Sequence, residues 1–219
     1  MRKESKVLDL TDKPLGLRLL EISRNKEFLR NIPYMEVGNG LALVCDVKIE
    51  QHEKSFFATM VNNDILKLLG KTKQEVFKEA ISQAWEVDRP QFYSMEAKLY
   101  MGDDTNLLDT PVDPASPLKP MYVLSTRSTV HGAAALFYPD VQQKISEALG
   151  DNYYALPSST EEFIIVPECT GISHKELSDM VHNVNRTVVD PGQVLSDSLL
   201  KYDRESGMLH DVTEGRTTC

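Results

Sequence analysis

No apolar run in this chain approaches the length of a membrane span, which for a helix is about 20 consecutive residues. The opening "MRKESKVLDLTD" carries charge but no apolar core, so it does not read as a secretory signal. Cysteine is scarce and odd in number. Cys45, Cys169 and Cys219 show no CxxC spacing, which argues against a disulfide framework or a zinc site and for a reducing, cytoplasmic compartment. Positive charge is also short. With 24 Lys and Arg against 33 Asp and Glu, the net charge is −9. Direct nucleic-acid binding, which needs cations at phosphates, is not expected. A basic protein partner, an acidic surface that imitates DNA, and an ordinary solvated acidic surface all remain open.

Several motifs are missing as well. There is no GxGxxG and no P-loop, so no nucleotide cofactor is expected. Serine catalysis on a nucleophile elbow would need G-x-S-x-G, which does not occur. The acids of "GDDTNLLDTPVDPASPLKP" do not form the spaced Asp loop that calcium requires, so no metal is expected there. His174 and His182 lie two turns apart on one helical segment, not the one turn that zinc pairs use.

What is present is enough for a core: 219 residues, 41% of them hydrophobic. Pro14 to Asn31 reads as an amphipathic helix capped by Asp12, with Leu15, Leu19 and Ile22 on one stripe. "VGNGL" reads as a hairpin turn. "GLALVCDVKIE" (Gly40–Glu50) and "SFFATMV" (Ser55–Val61) read as paired strands. "NNDILKLLG" and "TKQEVFKEAISQAWEV" read as helices, the second opened by a Thr72–Glu75 capping box. From Asp88 to Pro120 order weakens, and the Pro- and Asp-rich stretch reads as a loop. "MYVLST" is a strand and "VHGAAALFYP" a buried strand or short helix. "DVQQKISEALG" is a helix capped by Asp140 and stopped by Gly150. "SHKELSDMVHNVNRTVV" is a helix with a Ser173–Glu176 capping box and a stripe of Leu177, Val181, Val184 and Val188. "VLSDSLLKYDRESGM" closes with a strand.

The fold class is therefore α+β, a mixed or antiparallel sheet with flanking helices. It forms one domain or two small lobes: a tail over 1–12, a lobe over 13–101, a loop over 102–120, a second lobe over 121–204, and a disordered tail over 205–219.

The stretch "YYALPSSTEEFIIVPE" (Tyr153–Glu168) poses the functional question. Ser158 and Ser159 each match a capping box, with Glu161 and Glu162. Yet "FIIV" is aromatic and β-branched, and Pro167 stops a helix. The expected structure is a hairpin whose serines bond local backbone, with Phe163–Val166 an inner strand covered on both faces. The alternative is a hydrolase site in which Ser158 or Ser159 is the nucleophile, His131 the base and Glu162 its orienter. Cys45 reads as a core residue, Cys169 as an exposed loop thiol, and Cys219 as part of the tail.

The segments "MYVLSTRSTVHGAAALFYPDVQQKISEALGDNYYALPSSTEEFIIVPE" and "LSDMVHNVNRTVVDPGQVLSDSLLKYDRESGML", with upstream "ATMVNNDILKLLGKTKQEVFKEAISQAWEV", resemble the bacterial family called domain of unknown function 5688. A fainter similarity runs to domain of unknown function 1444. The resemblance covers the chain from about Leu15 onward and implies no reaction, cofactor or catalytic residue. It implies bacteria of the gut-anaerobe type and genes found among mobile elements. Family members carry more sequence ahead of this region, so the chain is expected to be short at its N-terminus. They also show His-Glu after the two serines, where this sequence has Glu161-Glu162. The expectation is a cytoplasmic, non-enzymatic protein-interaction module acting in mobile-element or phage–host biology, with the Ser158/Ser159 hydrolase as the alternative.

Overall fold

The computed structural model describes residues 9–52, 55–110 and 120–213. The first half runs β1 (Leu15–Glu21), α1 (Lys26–Leu29), β2 (Tyr34–Gly38), β3 (Leu41–His52), β4 (Ser55–Met60), α2 (Asn63–Leu69), α3 (Lys73–Ser82), α4 (Ala84–Val87), β5 (Pro90–Ser94) and α5 (Met95–Met101). The second half runs β6 (Tyr122–Thr126), a 3₁₀ turn (Gly132–Phe137), α6 (Val141–Leu149), β7 (Tyr153–Pro157), β8 (Phe163–Pro167), a 3₁₀ turn (Glu168–Thr170), α7 (His174–Thr187), β9 (Leu200–Asp203) and β10 (Met208–Asp211). Two sheets result, and every strand pairing is antiparallel. The first has β3 between β1 and β2, with β4 also on β3; the second has the order β10-β9-β7-β8-β6-β5. This is an α+β fold. Among the described residues no helix is long and apolar enough to cross a membrane.

The largest departure from the sequence pattern is at the start. Leu15–Glu21 is a strand, not a helix, pairing with β3 from Leu15↔Val47 to Glu21↔Leu41. Leu15 and Leu19 satisfy a helical stripe, but Leu17 lies between them, and the three also satisfy a strand's period of two. Pairing with β3 buries all three. The short α1 then takes only the end of the expected helix.

Between Asp88 and Pro120, where the sequence showed weak order, stand β5 and α5. Residues 111–119 of the expected loop lie outside the described residues. Since β5 pairs β6, the two sheets part between β4 and β5, ahead of the 102–120 stretch. Within the expected 205–219 tail, Met208–Asp211 forms β10 against β9 because the turn at Gly207 (φ +68°) returns the chain. Asp140 is no side-chain cap: its backbone is left-handed (φ +63°) and its carboxylate bonds no helix N–H.

Other local expectations hold. Thr72–Glu75 and Ser173–Glu176 form complete capping boxes, and Asn62 caps α2 through the N–H groups of Asp64 and Ile65. Gly38, Asn39 and Gly40, all with positive φ, turn β2 into β3.

One apolar core crosses both sheets. Leu15, Leu17, Leu19, Leu41, Leu43 and Val47 join Tyr122, Leu124, Phe163 and Ile165 across Ala133–Leu136 and α6. On the other face of the second sheet, Tyr154, Leu156 and Val166 pack under Leu177 and Val181 of α7. β8 lies between β7 and β6 and is covered on both faces, with Ile164 only half-buried. Val188, expected on the α7 stripe, lies just past the helix end at Thr187 and is 76% exposed.

Ile165→Ala should cost about 2–5 kcal/mol in urea unfolding, since its side chain is fully enclosed. Val188→Ala should stay within about 0.5 kcal/mol. Equal costs at the two positions would contradict this placement of the core.

Candidate functional site

The serine turn is built from local hydrogen bonds. The Ser159 N–H donates to the Glu162 carbonyl at 3.3 Å, and the Glu161 N–H donates to Ser159 Oγ at 3.1 Å. Ser158 Oγ donates to Glu162 Oε1 at 3.4 Å. Glu162 is half-buried, and burial followed by the charge of Glu161 holds its carboxyl above the ordinary glutamate value, against the pull of the Ser158 bond. Ser158 and Glu162 are thus brought together, and Ser159 serves the turn.

His131 makes no hydrogen bond to any of the three. Its backbone is left-handed (φ +58°), and its Nδ1 is buried with no hydrogen-bond partner among the described residues. Burial, then the cations of Arg18 and Lys48, push its pKa down to about 4. The charges that bear on the ring therefore come from the first sheet, not from Glu162. What the neighbouring backbone does is clamp the turn. Ser125 Oγ donates to the Glu161 carbonyl at 2.7 Å, and the Ala133 N–H donates to the Thr160 carbonyl at 3.3 Å. A Cβ on Gly132 would sit 2.2 Å from Ser125 Oγ and 2.4 Å from the Glu161 oxygen, so only glycine fits.

Beside His131 lies an ionic cluster that sequence reading missed. Arg18 on β1 donates through Nη2 (3.0 Å) and Nε (3.3 Å) to Asp46 Oδ2. Lys48, two residues on along β3, lies 3.6 Å from Asp88 Oδ2. Asp88 accepts the Ser128 N–H at 3.0 Å and the Ser128 hydroxyl at 2.5 Å. Asp46, Lys48, Asp88 and Ser128 are all buried. Burial raises the Asp46 carboxyl against the pull of Arg18, and lowers the Lys48 ammonium against that of Asp88. The signal was there: Asp46 and Lys48 alternate with Ala42 and Val44 on the face of β3 opposite Leu41, Leu43 and Cys45. That second face is buried as well.

The second sheet also carries a groove between α5 and α7, with a volume of about 280 Å³. Met95, Met121 and Met180 line it with Leu156, Ile164 and Val184, and Ser158 and Glu162 stand at its edge. Nothing along the chain marks it, because its methionines come from three separate parts of the sequence.

The remaining candidates have structural places. Cys45 sits in the core, where burial pushes its thiol up. Cys169 is exposed, and burial followed by Asp151 holds its thiol above the ordinary value, so it is no ready thiolate. His174 Nε2 meets the Tyr154 hydroxyl at 2.9 Å, while His182 faces Asp197 at 3.7 Å. Cys219 lies outside the described residues.

The chain belongs to a family described as a family of unknown function (DUF5688), whose profile matches residues 5–204. No curated protein and no solved structure matches it.

Two stability tests follow from the cluster. Asp88→Ala removes the buried carboxylate that Lys48 and both Ser128 donors share and should cost about 3–5 kcal/mol in denaturant unfolding. A cost near that of a surface change would mean the cluster is solvated.

The second concerns pH. His131 holds its proton less well folded than unfolded, with a pKa of about 4 against an ordinary 6.5. The folded protein therefore binds fewer protons across that window. Stability is full above it and falls as pH drops through it. His131→Asn tolerates the left-handed backbone. It should remove a slope of at most about 3 kcal/mol, measured as unfolding free energy from pH 7 to 4.

Proposed function

We propose that this protein is a binding module that takes an apolar, base-bearing segment of a partner protein in the groove between α5 and α7. The observation that carries the reading is the groove's make-up: a methionine-lined apolar floor with a half-buried carboxyl at one edge. Methionine side chains are flexible and polarizable, and they suit surfaces that must mould to another chain. The apolar surface continues outward along both walls. Leu99 follows Met95 by one turn on α5, and Val188 follows Val184 just past the end of α7; they are 71% and 76% exposed.

Charge selects the partner. Glu162 is half-buried beside Glu161, in a chain of net charge −9. A lysine or arginine reaching that edge would relieve a carboxyl now held partly out of water. An acidic segment would add repulsion there. Catalysis draws less support, because His131, the expected base, is bonded to neither serine among the described residues.

The test uses a fluorescein-labelled amphipathic peptide of leucine and lysine and its leucine–glutamate counterpart, read by anisotropy. The lysine peptide should bind, with Met180→Glu weakening it at least tenfold and Glu162→Gln several-fold. The glutamate peptide should not bind. Lysine-peptide binding indifferent to Met180→Glu would sink the reading. So would ester turnover abolished by Ser158→Ala, which would put chemistry in its place.

A further inference from the structure

A second cleft lies on the other flank of α5, and its chemistry is the reverse of the groove's. It has a volume of about 600 Å³, within the ordinary range for small-molecule sites, roughly 300–1,000 Å³. One wall is β5, whose alternation sends Phe92 into the core against Tyr122 and leaves Gln91 and Tyr93 on the cleft side. The opposite wall is the turn after β6, Thr126 to Thr129.

That turn is held rigidly. The Arg127 N–H donates to the Arg89 carbonyl at 2.9 Å, and the Thr129 N–H to the Thr126 carbonyl at 3.0 Å. Ser128 is anchored on Asp88. Thr129, a β-branched residue, sits at φ +63°, a costly backbone that persists only where its surroundings impose it.

The unspent groups in the cleft are mostly donors. Thr126 closes the end of this wall but offers it no donor: it shares the core-facing side of β6 with Leu124, and its Oγ1 is buried away from solvent. Arg127 is exposed and in no ion pair among the described residues, whereas Arg89 is paired with Asp109 at 2.7 Å. The one carboxylate lining the cleft, Asp104, is held by Lys98 at 2.5 Å. Lys98 also lies over the Tyr93 ring, 5.9 Å from its centroid. Burial first, then the charge of Glu162, keeps the Tyr93 phenol protonated and able to donate. On a strongly acidic chain, this cleft carries one uncompensated charge, and it is positive.

We propose that the cleft between β5 and the Thr126–Thr129 turn binds a small organic molecule through an oxyanion, a carboxylate or a phosphate monoester. Arg127 supplies the charge-assisted fork. Gln91 donates beside it, and Tyr93 lines the space for the organic body. The site stands apart from the peptide groove and does not depend on it.

The experiment titrates the ¹⁵N-labelled protein with phenyl phosphate, benzoate and inorganic phosphate, following amide shifts and affinity. Phenyl phosphate or benzoate should shift Gln91, Tyr93 and the 126–129 amides together, and whichever binds more tightly identifies the anionic group. Arg127→Gln should weaken binding at least tenfold. Gln91→Leu, which keeps the size and removes the amide, should weaken it several-fold. Lys175→Gln, a cation removed from the surface of α7, should change nothing. Shifts scattered over surface lysines, or equal affinity in Arg127→Gln, would overturn the assignment. Inorganic phosphate binding as tightly as phenyl phosphate would reduce the cleft to a site for a bare ion and overturn its organic-ligand part.

Discussion

A carboxylate inside a protein must be met by donors or cations, and Asp88 is where this fold meets that demand. It stands just before β5 and receives the Ser128 N–H, the Ser128 hydroxyl and the Lys48 ammonium. One side chain therefore ties β3 of the first sheet to the β5–β6 edge of the second. The order it imposes is passed along the chain. With Ser128 fixed, the turn to Thr129 is fixed, and His131 and Gly132 follow. Gly132 in turn abuts the Glu161 carbonyl, with Ser125 bonded to the same oxygen. The serine turn at the groove's edge is thus seated by contacts that trace back to one buried ion pair. Such a pair adds little net stability over an apolar replacement, but removing one partner is expensive.

Much of the fold was legible. Capping boxes, stop glycines and the β7–β8 hairpin depend on residues within a few positions of one another, so the sequence contains the whole interaction. The expected inner strand at Phe163–Val166 also follows from its own residues, apolar on both faces. The failures share a cause. Leu15–Glu21 satisfies both a helical and a strand period, and β3, distant in sequence, decides between them. β5 was hidden by polar and proline-rich surroundings, and it gains its strand from β6. The candidate site was half legible: Ser158 and Glu162 do meet, but His131 is drawn towards Arg18 and Lys48, whose approach no spacing along the chain encodes.

α5 has no buried residue of its own, yet it separates the two clefts. Met95 at its start lines the apolar groove, and Lys98, one turn later, lines the polar cleft. Its attachment is modest: Ser94 caps its first turn at 3.2 Å, and the Met95 N–H bonds the Met121 carbonyl. A short helix with no buried residue thus forms the wall that two recesses share.

The order of the second sheet also sets a timetable for assembly. β7 with β8 and β9 with β10 are neighbours in sequence and can zip quickly, in microseconds to milliseconds. β6 reaches β8 only across the 3₁₀ turn, α6 and the whole of β7. That seam, Tyr122↔Ile165 to Leu124↔Phe163, closes late because its loop is long. The groove straddles the seam, with Met121 on one side and Ile164 on the other. The groove therefore does not exist in partly folded chains; it takes shape only once the central sheet is complete.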